Sequence, residues 1–264
     1  MSMAAAPEAR SDVATAPVAA TTTHYVLGPI VGVGPDYAGG DGRSTSLRPA
    51  WAIEHGRFRL STGRGSALMG YGLAQREEGA SATLAATDGF LLSASLRLDN
   101  GRGGSDSPRL AGLPDIQRTL RGRLGASYAL SRRWTVGAGV SQDLLDRGGG
   151  AQVSANLGYT LPITEQTRLV WGLGAGWGDG TYMRSHFGVP LSAAPLSPLP
   201  AYTPRAGFYS VDTGLELMTA INRHWVVWGA LGVSQVQGEA RRSPLTVQPI
   251  GYTASVGLAY RCCK

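Results

Sequence analysis

The chain has 264 residues, a net charge of +6 and 38 glycines. No window holds the ~18 consecutive apolar residues of a transmembrane helix, so a membrane-spanning form has to be a closed β-barrel with every backbone N–H and C=O paired. All basic residues except Lys264 are arginines scattered along the chain, which argues against nucleic-acid binding. The arginine content fits either codon bias in a GC-rich genome or bidentate binding of phosphate, such as that of lipopolysaccharide.

The chain begins with a segment unlike the rest. Residues 1–22 are rich in Ala, Pro and Thr, and they lack the apolar core of a signal peptide. We therefore expect a flexible N-terminal leader over residues 1–22, followed by one β-barrel domain over residues 23–264.

The remaining residues are organised by a two-residue period. It is clearest from residue 117 to 177, where Leu120, Leu124 and Tyr128 alternate with Arg121 and Arg123. Such alternation gives each strand one apolar face, and runs of about 9–11 residues are long enough to cross a bilayer when tilted. The pattern predicts an all-β, transmembrane, antiparallel up-and-down barrel. Its twelve predicted strands span residues 23–35, 46–55, 57–63, 67–77, 88–99, 117–130, 134–146, 151–163, 167–178, 205–221, 224–237 and 249–262.

The connections between these strands alternate in length. Short ones fall at residues 55–57, 131–133, 164–166 and 222–223, and long ones at 36–45, 100–116, 179–204 and 238–248. Bacterial outer-membrane barrels have short periplasmic turns and longer extracellular loops. The pattern therefore predicts an outer-membrane protein of a Gram-negative bacterium with both termini in the periplasm. Two connections break the rule, a short outer loop at 146–150 and a longer inner one at 77–88.

The two faces of the predicted strands differ in chemistry. Aromatic side chains recur on the apolar face near strand ends, which is typical of the girdles that flank the ~25 Å apolar band of such barrels. The predicted girdle consists of Tyr128, Trp134, Tyr159, Trp171, Trp177, Trp225, Tyr252 and Tyr260. The charges predicted for the lumen are Arg121, Arg123, Arg168, Asp212 and Glu216. They would either pair across a filled interior or line a selective pore.

Several segments resemble one family in particular. They include the segments VLGPIVGVGPDYAGGDGRSTSLRPAW (residues 26–51), GLPDIQ (112–117) and GDGTYMRSHFGV (178–189), and further matches lie at residues 128–145, 199–207, 223–245 and 257–261. Together they cover most of residues 25–261 and resemble the MipA/OmpV outer-membrane proteins. Residues 57–87 match least well.

The resemblance implies a scaffold whose partners are a lytic transglycosylase and a penicillin-binding protein. Independently of it, we expect an arginine-rich outer-membrane barrel to contact outer-membrane lipid and lipopolysaccharide. The resemblance also implies recognition by the barrel-assembly machinery through a C-terminal aromatic residue. Here Tyr260 and Arg261 are followed by Cys262, Cys263 and Lys264, so we expect Tyr260 and Cys262 to occupy the assembly signal. Adjacent cysteines rarely bridge to each other, and we expect no disulfide framework.

The long loops hold the remaining candidate residues, which are Tyr182, His186, Phe187, Tyr202, Arg241 and Arg242. Asp179, Ser185 and His186 are the one group that could support catalysis, but adjacent residues of an extended chain usually point apart. We therefore expect no enzymatic activity, no cofactor and no metal site. A small-solute channel and a surface adhesin that contacts lipopolysaccharide remain as alternatives to the scaffold.

Overall fold

The computed structural model describes residues 23–62, 79–104 and 107–262. Within them, twelve antiparallel strands form a closed barrel in which each strand pairs with its sequence neighbours and β1 pairs with β12. The predicted fold class is confirmed. The strands are β1 Thr23–Pro35, β2 Arg43–His55, β3 Phe58–Ser61, β4 Gly79–Thr87, β5 Phe90–Asp99, β6 Thr119–Ala129, β7 Trp134–Asp143, β8 Ala151–Pro162, β9 Thr167–Gly178, β10 Gly207–Ala220, β11 Trp225–Val236 and β12 Ile250–Cys262.

The alternation of side chains decides which face of each strand points outward. Leu124, Val140 and Val256 are each more than half exposed, at 57%, 54% and 55%, because they lie on the outer wall that faces lipid. Their sequence neighbours are small or polar and point into the lumen. Leaving large apolar side chains exposed would destabilise a water-soluble protein, whereas a bilayer accommodates them.

Connections at the two ends of the barrel differ in length. The turn end carries the short connections, at residues 56–57, 88–89, 130–133, 163–166 and 221–224, and both described chain ends lie beside them. The other connections are longer and are named L1 (36–42), L2 (62–78), L3 (100–118), L4 (144–150), L5 (179–206) and L6 (237–249). Residues 63–78 and 105–106 lie outside the described part of the chain, and the described residues of these connections lie at the loop end. L5 contains helix α1 (Gly180–Phe187), and L6 contains helix α2 (Gly238–Arg242).

The fourth strand is where the prediction was wrong. The strand predicted at 67–77 lies entirely within residues 63–78, outside the described part of the chain, and β4 occupies Gly79–Thr87, where an inner loop was expected. β4 consists largely of Ala, Ser and Thr, and a register shift between Thr83 and Ala85 breaks its two-residue period. With β4 in place, the connection to β5 is only Asp88 and Gly89, so the expected long inner loop does not exist.

The C-terminal residues also differ from expectation. Cys262 is disulfide-bonded, although bridging by the adjacent cysteines of this chain was not expected. Its backbone pairs with that of Tyr25 across the β1–β12 seam. The last described strand is thus held on both sides, by β11 and by β1.

Buried apolar residues form clusters at both ends of the barrel. One cluster lies inside the turn-end half of the lumen and contains Val26, Ile30, Ala50, Ala52, Met218, Val226, Trp228 and Ala259. Two others lie in the loops: Leu110, Leu113, Val189, Ala193, Leu199 and Leu245 in one, and Tyr182, Met183, Phe187, Val236 and Ala240 in the other. A barrel with apolar residues facing lipid therefore also has internal cores.

Candidate functional site: the charged lumen and the loop cap

Positive side chains occupy one arc of the lumen. Strands β2, β3, β5 and β6 contribute Arg48, Arg59, Arg97, Arg121 and Arg123, all at inward positions. This basic arc is centred on β4, which stands six strands from β10 in either direction around the ring. The strand opposite the basic arc is therefore β10.

That opposite strand carries acidic side chains, in addition to Glu54 and Asp99, which pair with arginines of the basic arc itself. Asp212 and Glu216 point inward from β10, and their partners on β9 are Gly174 and Val170. Asp212 and Arg48 are both exposed although they point into the barrel, so water reaches the lumen at these positions. Opposed basic and acidic walls produce a field across the lumen.

Arg121 holds a loop instead of lining open space. It is 1% exposed, its Nε lies 3.3 Å from Asp99 Oδ2, and its Nη1 and Nη2 donate to the carbonyls of Gly150 and Gly149 at 3.1 and 2.8 Å. Asp143 on the neighbouring strand accepts the backbone N–H groups of L4, such as that of Gly149 at 2.8 Å. Together the two side chains fix L4 against the barrel mouth.

The other predicted lumen charges lie against the wall. Arg123 Nη2 donates to Ser154 Oγ at 2.9 Å, and its guanidinium group covers Gly139, where a Cβ would lie only 2.6 Å from it. Arg168 Nη2 lies 3.5 Å from the sulfur of Met218. Glycines in the wall thus give the arginine side chains room to lie flat.

Sequence reasoning missed Arg48, Arg59 and Arg97. Arg59 is 4% exposed and forms a salt bridge with Glu54, with Nη2 and Oε2 at 2.6 Å. The alternation of β2 could have identified Arg48, because Ala50 and Ala52 share its face. No comparable signal exists for β3, which has only four residues.

The loops form one packed layer across the loop end, here called the cap. Arg102 of L3 donates to the carbonyl of His186 in L5 at 2.8 Å, and Ser243 of L6 donates to the carbonyl of Phe187 at 2.6 Å. Tyr37 of L1 donates to the carbonyl of Leu245 in L6 at 2.9 Å. The described loops L1, L3, L5 and L6 therefore support one another.

Helix α1 lies at the centre of this cap. Asp179 caps its N-terminus by accepting the N–H of Tyr182 at 2.7 Å, as expected for an aspartate at this position. Tyr182 and Phe187 are buried, and the Tyr182 ring packs 4.9 Å from that of Tyr209 on β10. Burial and the Tyr209 hydroxyl raise the pKa of Tyr182 well above its usual value.

His186 is a packing residue. Its ring stacks on that of Tyr182 at 4.1 Å, and its Nδ1 lies 3.1 Å from the Tyr182 carbonyl. Burial lowers its pKa to about 4, which keeps the imidazole neutral. Asp179 is occupied by the helix cap, so the suspected group of Asp179, Ser185 and His186 is not arranged as a nucleophile, base and orienting acid.

The other loop candidates lie at the junction of L5 and L6. The Tyr202 hydroxyl is 2.9 Å from both the carbonyl and Oε2 of Glu239, and burial together with this contact raises its pKa to about 12. Glu239 also forms a salt bridge with Arg242 at 2.7 Å. Arg241 and Arg242 are both exposed on the cap surface.

The predicted girdle residues lie on the outer face at both ends. The Trp134 ring is 4.8 Å from Tyr159 and 6.3 Å from Trp171, and Tyr260 packs 5.5 Å from Trp225. Toward the turn end lie Tyr128, Trp134, Tyr159, Trp171, Trp225 and Tyr260, and toward the loop end lie Trp177 and Tyr252. Their placement is consistent with two aromatic belts.

Among the described residues, no helix is long and apolar enough to span a membrane. No group of three or more His, Cys, Asp or Glu side chains in the described ranges could hold a metal ion.

Comparison with protein families decides the membership of this chain. The family described as MltA-interacting protein MipA matches residues 27–262. The chain belongs to the MipA family. The match runs from the fifth residue of β1 to the end of β12, and the fold places this MipA-family barrel in the outer membrane. No protein with a curated description matches the chain.

A solved outer-membrane channel shares the barrel architecture of this MipA-family member. An outer membrane channel from Pseudomonas putida F1 matches with a TM-score of 0.50 and 15% identity, covering 97% of this chain and 100% of its own. The KdgM porin matches with a TM-score of 0.39 and 9% identity, covering 90% and 98%. At such identities, the likeness to the channel concerns the fold alone.

Proposed function

We propose that this MipA-family barrel is a scaffold on which a murein-processing enzyme docks, either a lytic transglycosylase or a penicillin-binding protein. The family description, which names interaction with MltA, supports this proposal. The observation that carries it is the difference between the two ends of the barrel. Packed loops cover the loop end, whereas the turn end exposes short turns rich in arginine.

The proposal requires the turn end to face the periplasm, where murein lies. Short turns are periplasmic in bacterial outer-membrane barrels, and long loops are extracellular. With an even number of strands, both ends of the barrel chain then lie in the periplasm.

The turn end offers a basic docking surface, here called the basic rim. Its turns expose Arg57, Arg132, Arg133 and Arg223. The same turns hold only two acidic residues, Asp88 and Glu165. A basic surface accelerates association with an acidic partner and orients it, with a strong dependence on salt.

A pulldown from cell envelopes tests the scaffold. The triple variant Arg57→Gln, Arg132→Gln and Arg223→Gln should reduce co-purified lytic transglycosylase or penicillin-binding protein about tenfold, as judged by quantitative mass spectrometry. The matched control replaces three exposed loop-end arginines, Arg118, Arg184 and Arg205, with Gln. Equal recovery with the two triple variants, or no enrichment over an unrelated barrel, would contradict docking on the basic rim.

We also propose that the barrel has no catalytic activity of its own. Support comes from the contacts of Asp179, Ser185 and His186, which cap a helix and join loops instead of forming a reactive group. Replacing His186 with Gln should leave envelope hydrolase activity unchanged in cells that express the variant at wild-type level. A loss of lipase or protease activity would contradict this proposal.

A small-solute channel is the second candidate. It is favoured by the exposure of Arg48 and Asp212 inside the lumen, on strands β2 and β10, which lie four strands apart around the ring. Replacing residues 180–204 with a short Gly-Ser linker should then produce conductance steps in planar bilayers, and Arg48→Glu should reduce their preference for anions. If the intact barrel gives conductance steps as large as those of the variant with residues 180–204 replaced, the cap does not block ion flow.

A further inference from the structure

The outer wall of the barrel contains an apolar depression of about 520 Å³. It crosses the wall diagonally from β9 through β10, β11, β12 and β1 to β2. Its floor is formed by Gly229 and Ala254, and its sides include Leu215, Leu231 and Val31. The depression lies within the face that contacts lipid.

The depression exists because two floor positions have small residues. A Cβ added at Gly229 would meet no atom closer than the Ser255 carbonyl oxygen at 3.8 Å, so space is open outward of the backbone. Beside it, Leu231 and Val256 are 63% and 55% exposed and project from the wall. The sequence therefore builds an apolar slot between projecting side chains.

A positive side chain stands at the loop-end head of this slot. Thr45 lines the depression, and Arg43, two residues away on the same outer face, lies roughly 7 Å along the strand. Arg43 is exposed, and no side chain in the described part of the chain pairs with it. Of the acidic residues of L1, Asp36 accepts the backbone N–H of Tyr37 at 2.9 Å, and Asp41 is exposed.

We propose that the depression is a binding site for lipopolysaccharide, with an acyl chain in the slot and a lipid A phosphate on Arg43. The guanidinium group binds phosphate oxygens bidentately, and the slot buries methylene groups. Arg241, exposed on L6, which joins the floor strands β11 and β12, adds positive charge at the same end of the barrel. In the cell the proposal rests on the orientation proposed above, with the loop end toward the outer leaflet.

The test uses the full chain, purified in detergent and freed of lipid. Diphosphoryl lipid A is titrated, and bound lipid is counted by native mass spectrometry. The double variant Gly229→Leu and Ala254→Leu fills the slot. The matched control, Ala138→Leu and Ala155→Leu, adds the same two side chains to exposed outward positions on β7 and β8. A heat-modifiable gel shift verifies that each variant is assembled.

Filling the slot should weaken lipid A binding at least tenfold, whereas the control should bind like the wild type. Arg43→Gln should weaken diphosphoryl lipid A about tenfold and leave dephosphorylated lipid A unaffected. Equal binding by the filled and control variants overturns the site. If phosphatidylethanolamine binds as tightly as lipid A, the site is not selective for lipid A. If the filled variant changes from dimer to monomer without losing bound lipid, the slot is the contact with a second copy of the chain. None of these outcomes depends on which end faces the periplasm, so they are independent of the scaffold test.

Discussion

At the scale of single residues, the lumen charges divide into two groups. Arg121 and Arg59 are buried and paired: Arg59 forms a salt bridge with Glu54, and Arg121 binds Asp99 and loop carbonyls. Arg48 and Asp212 are exposed to water within the barrel. Alternation predicts that all of them point inward, but it cannot separate the groups, because the partners of Arg121 come from L4, distant in sequence and brought near only by the fold.

Arg121→Gln should destabilise the barrel by roughly 3–5 kcal/mol, because it removes one partner of a buried ion pair and leaves loop carbonyls without a donor. Unfolding in urea and mild detergent, followed by tryptophan fluorescence, measures the change. Arg48→Gln is the matched control, expected to lie within about 0.5 kcal/mol of the wild type, since surface substitutions away from such contacts have small effects. Similar losses for both variants would show that the Arg121 contacts contribute little.

At the scale of the elements, strands with strong alternation were predicted within a few residues, as β7, β8 and β9 show. β4 was missed because small side chains and a bulge remove the periodic signal. Asp88–Gly89 could have revealed it, since Asp-Gly is a preferred two-residue hairpin turn and Gly89 has a φ of +83°. The helix and packing of L5 had no readable signal, because they depend on contacts with L3 and L6.

The seam between β1 and β12 yields a prediction about closure. A Cβ at Gly28 would lie 1.9 Å from the Leu258 carbonyl oxygen, so Gly28→Ala forces the two backbones apart. We expect a cost above the ~1–3 kcal/mol typical of overpacking and a smaller heat-modifiable fraction on gels. Gly172 is the control, since a Cβ there would meet nothing within 4 Å and alanine should be tolerated. Equal assembly of the two variants would refute the close approach at the seam.

The cap should lose stability in acid. The pKa of His186 is about 4 when packed and near 6.5 when exposed, so the exposed form alone gains a proton as the pH falls below about 6.5. The cap is therefore at full stability above pH 6.5 and weakens progressively toward pH 4. Limited proteolysis of wild type and His186→Gln, compared at each pH so that the protease's own pH dependence cancels, measures the effect. An unchanged ratio of cleavage rates between pH 7.5 and 4 would show that His186 does not couple the cap to pH.

At the scale of the whole molecule, the two ends of the barrel differ: described loops pack across one end, and short turns are exposed at the other. Loops from most of the ring meet over the loop end, while an apolar cluster around Trp228 fills one side of the lumen near the turn end. This arrangement favours a rigid platform with a small internal water space over a wide pore. The sequence predicts strand number and loop lengths, but closure of the mouth depends on long-range contacts such as that of Tyr37 with Leu245.

The C-terminal strand connects the finished barrel with its assembly. Cys262 occupies the outward position beside Tyr25, where the family resemblance leads us to expect an aromatic residue for recognition by the barrel-assembly machinery. Cys262→Phe should therefore raise the yield of assembled barrel about twofold or more, measured as the heat-modifiable fraction in outer-membrane preparations. Cys262→Ser is the control, because it removes the disulfide without adding a ring. If the yield of the serine variant rises as much as that of the phenylalanine variant, the disulfide limits assembly. If neither yield rises, recognition of this strand does not depend on position 262 and must rest on Tyr260 and the residues before it.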